Sequence, residues 1–144
     1  MAKHEYDLVV IGAGAAGSTA ATSVAEQGKK VCLIERDKMG GTCLNYGCDP
    51  TKTMLYSAHL LHEAQRARFY GLHIPQAEVD WKALMAHVQQ VVKQIRGGTP
   101  EEAAKNMKEK GVEFIHGEAH FVNEHEIEVA GRKLKSGDKQ AAGD

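Results

Sequence analysis

Apolar positions change rhythm along the chain, from continuous runs to a helical period and then to short strands. Tyr6 to Ile11 is apolar apart from Asp7, which predicts a strand buried on both faces of a parallel sheet. Gly12-Ala13-Gly14-Ala15-Ala16-Gly17 follows at once, and an alanine-rich segment to Gln27 predicts a helix stopped by Gly28. Val31-Cys32-Leu33-Ile34 predicts a second buried strand, ending at Glu35. Strand, glycine turn, helix and strand make a βαβ unit, whose crossover should be right-handed.

Gly40 and Gly41 then break the chain, and a polar turn is expected before a long helix from about Cys48 to Phe69. Leu55, Ala58, Leu60 and Leu61 give that helix an apolar stripe, and Gly71 and Pro75 end it. From Trp81, residues Leu84, Val88, Val91, Val92 and Ile95 mark a second amphipathic helix, interrupted by Gly97-Gly98. Thr99-Pro100-Glu101-Glu102 restarts a helix with a capping box. Past Gly111 the pattern predicts short strands at Val112–His116, Ala119–Val122, Glu126–Val129 and Arg132–Leu134, with turns at Asn123–His125 and Ala130-Gly131. Ser136 to Asp144 is small and polar without periodicity, and reads as a tail.

Composition narrows the partners. Eighteen Lys and Arg against nineteen Asp and Glu give a net charge of −1, with no basic face for nucleic acid. Leu8-Val9-Val10-Ile11 is far too short to cross a bilayer, and Asp7 interrupts any signal-peptide core, so a cytoplasmic protein is expected. Three cysteines are too few for a secreted disulfide scaffold. Of the eight histidines only His59 and His62 have helical spacing, with no third ligand, so no metal site is expected.

Two motifs carry chemistry. Gly12, Gly14 and Gly17 stand between a buried strand and a helix, where they allow a tight turn, close approach of backbone to a pyrophosphate, and close helix–strand packing. The helix N-terminus offers N–H groups and a positive dipole to phosphates. Glu35 follows about twenty residues on, where an acid accepts both hydroxyls of an adenosine ribose and repels a 2′-phosphate, so an FAD- or NAD-type dinucleotide is expected. The second motif is Gly40-Gly41-Thr42-Cys43-Leu44-Asn45-Tyr46-Gly47-Cys48-Asp49-Pro50-Thr51-Lys52. Pro50 suits a first helical turn, which puts Cys48 at a helix N-terminus whose dipole favours a thiolate, with Lys52 one turn on. A structural disulfide and a zinc pair are the competing readings. A cytoplasmic chain seldom keeps the first, and no second ligand pair supports the other, so a redox disulfide is expected. Cys32, inside a buried strand, is expected to be an inert core thiol.

From Tyr6 to about Leu134 the sequence resembles the flavin-dependent pyridine nucleotide–disulfide oxidoreductases, which include dihydrolipoamide dehydrogenase, glutathione reductase and mercuric reductase. The most specific stretch is Gly40 to Lys52, where the double glycine, both cysteines, Asn45, Gly47, Pro50 and Lys52 fall in place. The resemblance implies an α/β fold: a Rossmann-like FAD-binding domain over residues 1–135, with a parallel sheet, long helices and a small C-terminal antiparallel element, and residues 136–144 a tail or junction. It places FAD at Gly12, Gly14, Ala15, Ala16 and Gly17, with Glu35 and Arg36 at the adenosine. Gly41, Thr42 and Lys52 lie along the flavin, and Gly117 and Ala119 pass the adenine. Cys43 becomes the thiol that attacks substrate, and Cys48 the charge-transfer thiolate. Asp49 stands where the better-known members carry an apolar residue, and its carboxylate opposes thiolate formation. Thr51 is closer to the serine of lipoamide dehydrogenases and mercuric reductases than to the lysine of glutathione reductases.

The family also implies NAD(P)H as reductant, a small-molecule disulfide or metal ion as substrate, and a homodimer. No second glycine turn, no Ala-Thr-Gly segment and no His–Glu acid–base pair matches here, so the chain is expected not to turn over alone. Ala141-Ala142-Gly143-Asp144 is similar to a later flavin-contacting motif in which the aspartate, here Asp144, meets the ribitol. The alternatives are a stand-alone FAD- or nucleotide-binding module and a thiol redox sensor.

Overall fold

The computed structural model describes residues 5–75, 77–135 and 140–142. In it β1 (Leu8–Ile11) runs through the glycine turn into α1 (Ala15–Ala25) and returns as β2 (Val31–Glu35). Leu8 lies opposite Val31 and Ile11 opposite Ile34 in parallel register, as the βαβ reading expects. Then come α2 (Gly41–Tyr46), α3 (Cys48–Arg66), a 3-10 turn (Ala67–Tyr70), α4 (Trp81–Arg96) and α5 (Pro100–Glu109). The chain continues through β3 (Val112–His116), β4 (Ala119–Asn123), β5 (Glu126–Val129), β6 (Arg132–Lys135) and β7 (Gln140–Ala142).

A four-stranded parallel sheet has the order β3-β2-β1-β7, and β4-β5-β6 form a separate antiparallel sheet. The side-chain alternation of the central strands divides the core into two layers. Val10, Val31, Leu33 and Val112 face one way and pack with Ala21 and Ala103, from α1 and α5. Val9, Cys32, Ile34 and Ile115 face the other way and meet Ile127, Val129 and Leu134 of the antiparallel sheet, with Tyr6. Every residue of β2 is buried, which is why its sequence is apolar without alternation. Arg132 helps to hold the layers together, bonded at 3.3 Å to both Glu5 and Glu113.

Two segments, α2 and β7, depart from the sequence reading. Gly41–Tyr46, expected as a polar turn, is helix α2, held by side-chain bonds of Asn45 with Arg96 and of Tyr46 with Asp37 that no local pattern announces. The stripe of the long helix does not enter the core. No residue of α3 is buried, because α1, α5 and the antiparallel sheet already cover the parallel strands, and α3 packs with α4 instead. Residues 140–142, expected within a tail, form β7 beside β1, since pairing with a sheet edge needs backbone groups and no side-chain period. The capping box at Thr99 is present, with the Glu102 amide donating to the threonine hydroxyl and the Glu102 carboxylate accepting from the Thr99 amide. Among the described residues no helix is long and apolar enough to cross a membrane.

Candidate functional site

A cleft of about 710 Å³ opens at the carboxyl ends of β1 and β2, where open α/β sheets take ligands. Its walls bring together seven of the residues expected at a cofactor: Gly12, Glu35, Arg36, Gly41, Thr42, Gly117 and Ala119. These come from three places in the chain, the glycine turn, the strap behind β2 that leads into α2, and the loop between β3 and β4.

The glycine turn is built as the spacing requires. Gly12 has a φ of 97°, a left-handed conformation that costs glycine nothing. Gly17 is buried, and a Cβ there would run into the Gly12 carbonyl oxygen and lie 3.2 Å from Val10 Cγ1. Gly14 is the N-cap of α1 and has no side chain to satisfy the first-turn amides. Ala15 and Ala16 are exposed on that first turn and lie outside the cleft wall.

Glu35 is the one buried charged residue among those described. Its Oε2 accepts from the Ala13 amide at 2.7 Å, and its Oε1 accepts from the Asp37 amide at 2.7 Å. Each oxygen keeps a second lone pair, so the carboxylate ties the glycine turn to the strap while it lines the cleft. Arg36 is exposed and pairs with Glu118 at 3.3 Å across the mouth of the cleft. Gly117 donates its amide to the Glu35 carbonyl at 2.8 Å, which brings the β3–β4 loop against the end of β2.

The sequence reading missed Asp37, Lys38, Tyr46 and Glu118, which also line the cleft. Asp37 and Lys38 directly follow two residues that it did assign, so continuity along the strap was the available signal. The Tyr46 hydroxyl donates to the Asp37 carboxylate at 2.5 Å, and the Lys38 ammonium stands 5.1 Å from the Tyr46 ring centre.

Beyond Thr42 the same short helix carries Cys43, and Cys48 opens α3 with Gly47 as its N-cap. Both thiols are free and exposed. Side-chain hydrogen bonding to Cys48 is the main influence holding the Cys43 thiol above its ordinary pKa, and the charge of Asp49 adds in the same direction. The Cys48 backbone opposes them. Lys52 is exposed on α3 and does not line the cleft. Asp144 lies outside the described residues. Cys32 is fully buried, and burial pushes its thiol up to about 12, as expected of an inert core cysteine.

A glycine turn between a buried parallel strand and a helix, with an acid at the end of the next strand, defines the class as an α/β domain of dinucleotide-binding architecture. The comparisons are narrower. The family model described as pyridine nucleotide-disulphide oxidoreductase matches residues 6–140, and the chain belongs to that family. It is 39% identical to a dihydrolipoyl dehydrogenase of Bacillus subtilis (strain 168) over 130 residues, which is 89% of this chain and 28% of the relative. It is 36% identical to a mercuric reductase of Bacillus cereus over 131 residues, 91% of this chain and 20% of the relative. To a glutathione reductase of Nostoc sp. it is 36% identical over 130 residues, 90% of this chain and 28% of the relative. The chain thus spans between 20% and 28% of the length of these three relatives.

Proposed function

We propose that the cleft binds the adenosine diphosphate part of FAD, and that Cys43 and Cys48 form a redox-active pair beside it. The observation that carries this reading is the convergence of the glycine turn, Glu35, Thr42 and the Gly117–Ala119 loop on one cleft, with Cys43 next to Thr42 on α2. The residues fit the group. Gly12 makes the left-handed turn, Gly17 lets α1 pack against it, and Gly14 leaves the start of α1 without a side chain or a side-chain cap where backbone must approach a pyrophosphate. Glu35 offers free lone pairs to ribose hydroxyls, and its charge excludes a 2′-phosphate.

When bound, FAD would supply a two-electron relay between a nicotinamide and the cysteine pair. The chain's own chemistry is thiol–disulfide exchange. With both cysteines reduced, the Cys43 sulfur attacks a substrate disulfide once its proton is removed, and one thiol leaves. Cys48 then attacks the Cys43 sulfur of the mixed disulfide, releasing the second thiol and closing the Cys43–Cys48 bond. Cys48 opens α3 behind Gly47, which has no side chain to cap the helix, and Lys52 follows one turn on.

For the whole protein this reading implies NAD(P)H as reductant, a small-molecule disulfide or metal ion as substrate, and a homodimer in the cytoplasm. The chain carries one glycine turn of this kind, so the nicotinamide site lies outside it, and the chain alone does not complete a cycle. FAD titration of the wild type and Glu35→Ala tests the site. The variant should bind about 1–3 kcal/mol more weakly, the loss on removing a buried charged acceptor. Equal affinity would remove Glu35 from the site, and steady NADH or NADPH oxidation by this chain with added FAD would overturn the assignment of incomplete chemistry.

A further inference from the structure

Helix α2 spans only Gly41–Tyr46, well below the length at which a helix holds itself, and none of its residues is buried. Polar contacts hold it instead. On one side Asn45 donates to the carbonyls of Gly41 at 2.9 Å and Met39 at 3.0 Å, and its Oδ1 accepts from Arg96 of α4 at 3.0 Å. The next residue, Tyr46, reaches the strap, where its hydroxyl donates to the Asp37 carboxylate. That strap is itself fixed. The Asp37 amide donates to Glu35, the Gly40 amide donates to the Ala13 carbonyl at 2.9 Å, and His116 Nε2 stands 3.2 Å from the Asp37 carbonyl.

Tyr46 also sits at the joint that matters for the two sulfurs. It is the last residue of α2, one helical turn beyond Cys43, and only Gly47 separates it from Cys48. Gly47 has a φ of −117° and a ψ of −100°, and a Cβ there would lie 3.2 Å from the Thr42 carbonyl oxygen, so the joint is packed tightly against the first turn of α2. Any movement of Tyr46 against the strap therefore changes how Cys43 meets Cys48.

Building on the redox reading of the cysteine pair, we propose that Tyr46 is a positioning residue whose hydroxyl, bound to Asp37, anchors the end of α2 to the nucleotide strap and so holds Cys43 and Cys48 in register for disulfide closure. The tie runs from the cleft acid to the sulfurs in three links: Glu35 carboxylate to Asp37 amide, Asp37 carboxylate to Tyr46 hydroxyl, and Tyr46 backbone to Gly47 and Cys48. Lys38 over the Tyr46 ring keeps the phenol against the strap.

The test is equilibration of the full chain with glutathione redox buffers, followed by acid trapping and mass spectrometry. Two protein thiols and one glutathione disulfide give the Cys43–Cys48 bond and two reduced glutathiones. Tyr46→Phe should lower the equilibrium constant for closure by about two- to tenfold, the range of one partly exposed hydrogen bond. Asp37→Ala should lower it equally, and the double variant no further, because both remove the same bond. Asp37→Asn keeps an acceptor oxygen and should stay within about twofold of the wild type. Loosening the pair should also speed alkylation of Cys43 relative to Cys48 at neutral pH, with the melting temperature nearly unchanged because the phenol is exposed. An unchanged constant in Tyr46→Phe, an additive double variant, or Asp37→Asn as impaired as Asp37→Ala would overturn the proposal. If the wild-type pair closes in no buffer, the redox reading falls. The Cys43 to Cys48 alkylation ratio then decides on Tyr46 alone, and a ratio equal in wild type and Tyr46→Phe overturns its positioning role.

Discussion

Ile34 and Leu60 are both apolar residues in regular elements, yet Ile34 has no exposed surface and Leu60 keeps 52% of its own. The contrast extends to their surroundings. Around Ile34, the antiparallel sheet on one face and α1 and α5 on the other enclose β1, β2 and β3 in side-chain layers. Around Leu60, Leu55, Tyr56, Phe69 and Tyr70 are all more than half exposed, and α3 buries nothing. The sheet region derives its stability from its own core. The helical region is held by α3–α4 packing with Val88 and Val92, and by polar pins such as Arg96 to Asn45. The candidate chemistry lies on the boundary: the cleft on the sheet side, Cys43 on the short helix that joins the two, and Cys48 at the start of α3.

The largest effect is expected in the core. Leu33→Ala should cost about 2–5 kcal/mol in urea unfolding, the range for emptying a fully packed leucine site. A loss below about 1 kcal/mol would mean the sheet layers are not the stabilising core. A smaller effect of pH should come from the same layers. Burial holds the Cys32 thiol near 12, well above its usual 9.0, so its contribution to stability is complete below pH 9 and is lost as pH rises toward 12. Tyr6, also raised by burial, acts in the same direction at higher pH. Stability should fall by roughly 1 kcal/mol near pH 10, with a shallower slope in Cys32→Ala. A slope that is the same in both would place the titration elsewhere. Least of all, Leu60→Ala should move stability by no more than about 0.5 kcal/mol, and a core-sized loss there would erase the distinction between the regions.

What could be read from the sequence follows the same boundary. The buried strands and the glycine turn were legible because burial on two faces leaves an unbroken apolar run, and because a left-handed turn such as that at Gly12 requires glycine. The capping box was legible because its partners are three residues apart. Helix α2 was not. Gly41, Thr42 and Asn45 are poor helix formers, and it is the bonds of Asn45 with Arg96 and of Tyr46 with Asp37 that hold the segment helical. β7 escaped for a related reason, since three residues against β1 carry no period. At the site, Glu35 and the glycines stood at readable spacings. Asp37 and Tyr46 meet through space without any period to mark them, and an apolar stripe such as that of α3 does not reveal which partner face covers it.

On the proposed function, the cleft recognises the adenosine diphosphate half of a flavin dinucleotide. Competition titration measures this most directly: FAD fluorescence quenching on the wild-type chain, with ADP and riboflavin as competitors. FAD should bind, ADP should displace it, riboflavin should not, and Glu35→Ala should weaken FAD and ADP together. FAD that binds with ADP unable to displace it, or riboflavin that competes as well as FAD, would contradict it.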